Sequence, residues 1–339
     1  MATRAIHPNF EKSRPPPRGK RPRRRPKRDF RAVSGHSPEE WPRRLASIHL
    51  SRSAAEQIRT MYESFFGLRE LPFSLTPDPR FLWLSETHEE GLAALCYGIT
   101  RRKGFILLTG EVGAGKTTLL RAALERIPPG TETALILNTA DLSPVDLLKL
   151  IAAEFGLAIP AGTKADILIA LNRFLLERLA SGLNTVLVID EAQNLTLSAL
   201  EEVRLLSNLE TDTAKLLQIV LTGQPELRDK LAAHELRQLR QRIAIEHHVD
   251  SLRPEEVAHY LRHRVEVAGG KYEQVFEEGV EPIFFEASRG CPRLISLLAD
   301  RSLLAAFSRQ VAPCPRAIVE RKAAQIANAT RPAAAEMET

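Results

Sequence analysis

Short apolar runs alternate with amphipathic segments through the middle of the chain. The apolar runs are FILLT (105–109), ALILN (134–138), TVLVID (185–190) and LLQIVLT (216–222). Segments with the period of about 3.6 residues that marks helices separate these runs. Strands this apolar, separated by helices, are typical of a parallel sheet that is covered on both faces. The pattern therefore predicts an α/β fold with a parallel sheet between layers of helices.

The pattern changes after about residue 250, where strand-like runs stop. The segments RPEEVAHYLRHRVEVAG, VEPIFFEAS and RLISLLADRSLLAAF all have the spacing of amphipathic helices. We therefore predict an α/β core over residues 61–249 and a small all-helical domain over residues 250–327. Residues 328–339, rich in alanine, are predicted to be frayed.

Basic charge is concentrated at the start of the chain. Residues 1–60 contain 16 Lys and Arg against 5 Asp and Glu, whereas the remainder contains 31 against 37. The stretch RPPPRGKRPRRRPKR favours a disordered tail that either binds nucleic acid or anionic surfaces or is simply solvated. A further hypothesis is that Met61 is the native start, because ordered patterning begins there.

The apolar runs and the cysteines of the sequence indicate the cellular compartment of the protein. We find no apolar run long enough to span a bilayer and no secretory signal at the N-terminus. Cys96, Cys291 and Cys314 lie far apart and form no C-x-x-C pair. This usage argues against a disulfide framework or a cysteine metal site and predicts a cytoplasmic protein.

A phosphate-binding loop follows the first apolar run. GEVGAGKTT fits the pattern G-x-x-x-x-G-K-[ST], with a predicted strand before it and a predicted helix after it. Its residues are Gly110, Glu111, Val112, Gly113, Ala114, Gly115, Lys116, Thr117 and Thr118. Glycines let backbone N–H groups surround phosphate oxygens at the positive end of the helix. Lys116 would reach the β- and γ-phosphates of ATP, and Thr117 would ligate Mg²⁺.

Two adjacent acids end the third apolar run. Asp190 and Glu191 follow TVLVI, and the carboxyl ends of parallel strands meet at the ligand-binding edge of a sheet. Asp190 is therefore a second candidate for holding Mg²⁺, and Glu191 would orient and deprotonate the attacking water. The combination predicts an ATPase that hydrolyses ATP to ADP and phosphate.

The run LLQIVLTGQPEL also ends in polar residues. Either Thr222 or Gln224 could lie between the two carboxylates and the γ-phosphate, and we favour Gln224 as the catalytic sensor.

Taken in order, the P-loop, VIDEAQNL, LTGQPEL, LRQLRQRI and GCPRLISLLAD resemble the motifs of AAA+ ATPases. They are most similar to the branch that contains the ExeA-type (GspA-type) general secretion pathway ATPases, and the resemblance covers about residues 61–327. It implies that the helical domain is a lid. It also implies that Arg293 in GCPR contacts the γ-phosphate, and it points to Pro79, Phe81 and His88 near the adenine.

The resemblance further implies an arginine finger that enters the site of a neighbouring subunit. LRQLRQRI (236–243) predicts a two-turn helix with Arg237 and Arg240 on one flank of an apolar stripe and Arg242 on the other. Arg242 is the best candidate for the finger, and Arg240 is the alternative. Such a residue requires a homo-oligomer.

Three functions remain open from the sequence. The chain could be an oligomeric ATPase that drives or times a cell-envelope, secretion or export assembly. It could instead be a nucleic-acid-dependent ATPase like the transposition regulators, or a nucleotide-controlled recruitment switch. The membrane-spanning and peptidoglycan-binding segments of ExeA-type proteins do not follow the helical domain here, so an envelope role would need a partner protein.

Overall fold

The computed structural model describes residues 62–137, 139–140, 142–158, 162–212 and 214–329. The predicted basic tail and the alternative start at Met61 lie outside these residues. The last helix continues to Ala329, and the rest of the predicted frayed end is likewise outside them.

A five-stranded sheet forms the centre of the α/β part. Its strands are β1 (Phe105–Gly110), β2 (Glu132–Ile136), β3 (Thr185–Ile189), β4 (Gln218–Gly223) and β5 (Ile243–Val249). Neighbouring strands are parallel, in the order β2-β3-β4-β1-β5. The predicted parallel sheet is confirmed, although β2 lies at 132–136 rather than at the predicted 134–138.

Helices cover both faces of this sheet. They are α1 (Glu86–Thr100), α2 (Lys116–Leu124), α3 (Pro144–Glu154), α4 (Lys164–Ala180) and α5 (Leu197–Leu206). Side chains alternate across a strand, so Leu107 of β1 packs in the cluster that contains α3, α4 and α5. Leu108 faces the opposite cluster, with α1 and α2. Strands buried on both faces explain why the apolar runs lack polar alternation.

The start of α3 is set by residues next to it in the sequence. The Ser143 hydroxyl accepts a hydrogen bond from the Asp146 N–H at 3.2 Å, and Pro144 occupies the first turn. Proline is tolerated there because its missing N–H would have had no partner within the helix.

The arginine-rich segment is shorter as a helix than predicted. After α6 (Glu226–Leu231), a 3₁₀ turn over His234–Leu236 leads into α7 (Arg237–Arg240). The prediction of two helical turns through Ile243 was wrong, because Ile243 begins β5 and pairs with Phe105. Pairing at the sheet edge outweighs the helical spacing of the apolar residues.

The remainder of the chain is helical. Its helices are α8 (Pro254–Val267), α9 (Tyr272–Val275), α10 (Glu281–Ser288), α11 (Pro292–Ser308) and α12 (Arg316–Ala329). Their shared core also contains Tyr62, Phe66 and Phe73. The segment around residues 62–81 therefore packs with the helices, whereas the predicted boundaries placed it in the α/β core. Among the described residues, no helix combines the length and apolarity needed to cross a membrane.

Candidate functional site

The glycine-rich loop lies between β1 and α2, as its sequence context requires. Gly113 has a φ of 84°, and Gly115, which caps α2, has a φ of 100°. Positive φ values lie in the left-handed region, which glycine adopts readily because glycine has no Cβ atom. The loop therefore ends at a helix N-terminus, where backbone N–H groups are available to an anion.

Lys116 is turned back over the loop. Only 5% of the residue is exposed, and its Nζ donates hydrogen bonds to the carbonyls of Gly110 (2.8 Å) and Glu111 (3.0 Å). Burial lowers the pKa of Lys116, and the nearby carboxylates of Glu191 and Asp190 oppose that shift. The ammonium group is thus held close to acids that compensate part of its desolvation.

Asp190 links the loop to the central strands. Its Oδ2 accepts a hydrogen bond from the Thr117 hydroxyl at 3.1 Å. Its Oδ1 accepts from the Thr222 hydroxyl and from the Glu191 N–H.

The hydroxyl of Thr117 and the carboxylate of Asp190 are hard oxygen donors that suit Mg²⁺. No cluster of three or more His, Cys, Asp or Glu side chains with metal-binding geometry occurs in the described residues. A magnesium ion held by few protein ligands and by substrate phosphates requires no such cluster.

Glu191 follows Asp190 directly after β3 but contacts other residues than Asp190 does. Its backbone is left-handed, with φ 51° and ψ 41°. Its Oε2 accepts hydrogen bonds from the side-chain amides of Gln224 (3.1 Å) and Gln193. The two sensor candidates therefore contact different acids, since Gln224 contacts Glu191 whereas Thr222 contacts Asp190.

The helical domain contacts the phosphate-binding loop through the segment GCPR (290–293). The Arg293 N–H donates to the Gly113 carbonyl at 3.3 Å, and the Cys291 thiol donates to the Val112 carbonyl at 3.4 Å. A Cβ on Gly113 would lie 2.6 Å from the Arg293 Cβ. This backbone contact brings Arg293 to the phosphate-binding loop.

Most of the predicted site residues line one cavity of about 310 Å³. Those that line it are Val112, Gly113, Gly115, Lys116, Thr117, Thr118, Glu191 and Arg293. Those that do not are Gly110, Glu111, Ala114, Asp190, Gln224 and Arg242. Asp190 and Gln224 nevertheless join the site through their bonds to Thr117 and Glu191.

Neither candidate for the arginine finger lines the cavity of its own chain. The Arg242 guanidinium donates to Asn208 Oδ1 at 2.7 Å and to the Ser207 hydroxyl, at the end of α5. Arg240 is exposed at the end of α7.

Two of the three residues predicted near the adenine line the cavity. Phe81 and His88 line the cavity, but Pro79 lines a separate hollow. His88 Nε2 lies 2.9 Å from the Ala114 carbonyl, so the imidazole supports the P-loop.

Trp83, Tyr260 and Arg264 also line the cavity, although no sequence motif predicted them there. Trp83 follows a segment rich in proline and aromatic residues, which was a usable signal. Tyr260 and Arg264 occupy an ordinary amphipathic helix, where no local signal distinguishes them.

Comparisons with known proteins identify the family of the chain. The model of the AAA domain family matches residues 99–231. The chain is 48% identical over 250 residues to general secretion pathway protein A of Aeromonas hydrophila. That alignment covers 74% of this chain and 45% of the relative, so the chain spans less than half of the relative's length.

Solved structures with very different sequences share the fold. The ORC2 protein of Aeropyrum pernix, in its ADPNP-ADP complexes, is 17% identical with a TM-score of 0.57, covering 75% of this chain and 71% of that chain. Cdc6p of Pyrobaculum aerophilum is 19% identical with a TM-score of 0.54, covering 70% and 66%. Drosophila ORC bound to DNA is 14% identical with a TM-score of 0.59, covering 89% and 70%. These likenesses show the predicted P-loop NTPase fold and nothing about partners.

Proposed function

The chain carries an AAA domain and is a relative of general secretion pathway protein A, and from this premise we propose that it binds ATP with Mg²⁺ and hydrolyses ATP. The observation that carries the proposal is the convergence of Lys116, Thr117 and Glu191 on one cavity, with Asp190 hydrogen-bonded to Thr117. These residues come from two separate segments, 116–117 and 190–191, and each supplies a different part of phosphoryl transfer chemistry.

Lys116 and the loop amides would bind the phosphates. The Lys116 ammonium now donates to two loop carbonyls and would exchange these for β- and γ-phosphate oxygens. Thr117 and Asp190 would hold Mg²⁺, which neutralises charge on the phosphates when it is bound. Arg293 would contact the γ-phosphate from the lid.

Glu191 is the proposed general base. Its carboxylate would accept a proton from water as the water oxygen bonds to the γ-phosphorus. The bond from the γ-phosphorus to the β–γ bridging oxygen breaks, and ADP leaves with that oxygen. Gln224 contacts Glu191 directly and is the proposed sensor of the γ-phosphate.

We propose that a second copy of the chain completes the reaction. What supports this is that Arg240 and Arg242 lie away from the cavity of their own chain on a segment near the surface. A guanidinium can spread its charge over several phosphate oxygens, so it suits transfer from a neighbour.

The proposed role is to drive or time a secretion or export assembly from the cytoplasm, together with a protein partner near the membrane. The relation to general secretion pathway protein A supports the pathway. Cys96, Cys291 and Cys314 are all free, which suits a reducing compartment.

Two substitutions test the ATPase proposal. Lys116→Ala should abolish calorimetric binding of ATP with Mg²⁺, because the phosphates lose their buried cation. Glu191→Gln should bind ATP normally but release phosphate about 10²- to 10⁴-fold more slowly, because the general base is lost.

Exposed residues provide matched controls for this experiment. Lys271→Ala and Glu154→Gln remove charges of the same type outside the cavity and should leave binding and turnover unchanged. Full turnover by the Glu191→Gln protein would contradict the assigned base.

A further inference from the structure

Gln193 connects the two loops that carry the reacting carboxylate and its sensor. Its side-chain Nε2 donates to Glu191 Oε2, and its Oε1 accepts from the Gln224 N–H at 3.2 Å. One amide group therefore uses both of its ends, with each end on a different strand terminus. The Gln224 amide adds a second donor to the same oxygen of Glu191, at 3.1 Å.

The surroundings of Gln193 fix this bridge. A Cβ on Gly223 would lie 2.6 Å from Gln193 Oε1, so a larger residue at 223 would displace the amide from its present position. The backbone carbonyl of Gln193 accepts from the Lys230 ammonium, which also donates to the Leu195 carbonyl at 2.9 Å. The 3₁₀ turn Ala192–Asn194 is thereby tied to α6 through the backbone of Gln193, and to the segment before α6 through its side chain.

Glu191 requires such support because its conformation is unfavourable by itself. A left-handed backbone costs a residue with a Cβ atom free energy, so neighbouring contacts must hold it. A carboxylate on a flexible side chain would sample many rotamers, and small displacements of a general base reduce turnover strongly.

We propose that Gln193 is a positioning residue that holds the Glu191 carboxylate and the Gln224 turn as one unit during ATP hydrolysis. The inference rests on the proposed function, in which Glu191 activates water. Gln193 touches neither substrate nor metal in this role. Its effect passes through Glu191, and it ties the base to the segment that leads through α6 towards Arg240.

The test compares two substitutions that differ in what they remove. Gln193→Met keeps the length and bulk of the side chain but deletes both hydrogen bonds, whereas Gln193→Ala also deletes the bulk. Both should lower kcat about 10- to 100-fold while the dissociation constant of ATP with Mg²⁺ stays at the wild-type value. Asn194→Ala, an exposed neighbour in the same turn, serves as the control and should keep full turnover.

A double-mutant cycle with Gln224→Ala provides a second readout. Because both amides act on one carboxylate oxygen, the double variant should lose clearly less than the product of the two single losses. Wild-type kcat in Gln193→Met, or multiplicative losses in the cycle, would overturn the inference. If the wild-type protein hydrolyses ATP no faster than the Lys116→Ala protein in the same assay, the proposed function fails instead, and the two failures are thereby told apart.

Discussion

At the scale of single residues, the adjacent acids Asp190 and Glu191 make different contacts. Asp190 remains in line with β3 and is bonded to Thr117 and Thr222. Glu191 adopts a left-handed conformation, which costs a non-glycine residue roughly 1–2 kcal/mol, and its side chain reaches the cavity. Strain of this kind is commonly kept where a reacting group must point in one direction.

His88 offers a prediction at the same scale. It is 2% exposed and burial lowers its pKa, while Nε2 can only donate to the carbonyl of Ala114. His88→Ala should weaken binding of ATP with Mg²⁺ about five- to tenfold, because the loop loses a buried hydrogen bond worth about 1 kcal/mol. Calorimetric titration measures this change.

The controls for His88 lie on the same helix. His88→Gln retains an amide donor and should recover part of the affinity, whereas the exposed Glu90→Ala should match the wild type. Equal affinity for His88→Ala and wild type would show that the imidazole does not support the loop.

At the scale of elements, the P-loop and the start of α11 behave as one packed unit. Gly113 combines a φ of 84° with direct contact to Arg293 and Cys291. Gly113→Ala should therefore displace the start of α11 and cost about 1–3 kcal/mol of ATP binding free energy. Titration of ATP into the variant tests this expectation.

Gly67 supplies the matched control for this prediction. It has a φ of 69°, yet nothing lies within 4 Å of an added Cβ. Gly67→Ala should carry similar backbone strain but leave ATP affinity unchanged. If both variants lost the same affinity, backbone strain rather than the lid contact would be responsible.

Element boundaries also show how far local patterns can be relied on. Ser143 and Pro144 define the start of α3 locally, because a cap depends on residues within one turn. The arginine segment was predicted as one helix but ends at Arg240, since a partner strand far away in sequence recruits Ile243.

At the scale of the whole molecule, the cavity is shared by the α/β part and the helices. Lys116 and Glu191 line it from one part, and Tyr260 and Arg293 line it from the other. Each part has its own apolar clusters, two in the α/β part and one in the helical part. A ligand in the cavity would therefore stabilise both parts together.

Ligand stabilisation is measurable without turnover. In the Glu191→Gln background, ATP with Mg²⁺ at 100 times its dissociation constant should raise the free energy of unfolding by about 2.7 kcal/mol. Thermal denaturation should show a higher midpoint, and chelation of Mg²⁺ should reverse most of the shift. The Lys116→Ala protein should show no shift, and a shift in that variant would contradict the assigned phosphate contact.

Assembly of several copies makes a separate prediction. Arg242→Ala should bind ATP normally but lose the part of the ATPase rate that rises with protein concentration, about 10³-fold at saturation. Mixing it with Glu191→Gln should restore turnover, because one protomer supplies the arginine and the other supplies the base. The same mixture with Arg240→Ala identifies which arginine acts.

The outcome of mixing also separates the competing functions. Failure of every mixture to regain turnover would contradict the trans arrangement. An ATPase rate that rises when DNA is added, by an amount that falls steeply with salt concentration, would favour the nucleic-acid-dependent alternative.

The sequence by itself determined the parallel sheet, the P-loop and the pair Asp190 and Glu191, because apolar period, glycine placement and strand ends are local properties. Tertiary structure alone decided that His88 supports the loop, that Gln193 bridges two strand ends and that Arg242 contacts the end of α5. Those roles depend on distances between residues far apart in the chain. Such distances follow from packing of the whole core, and no local pattern encodes them.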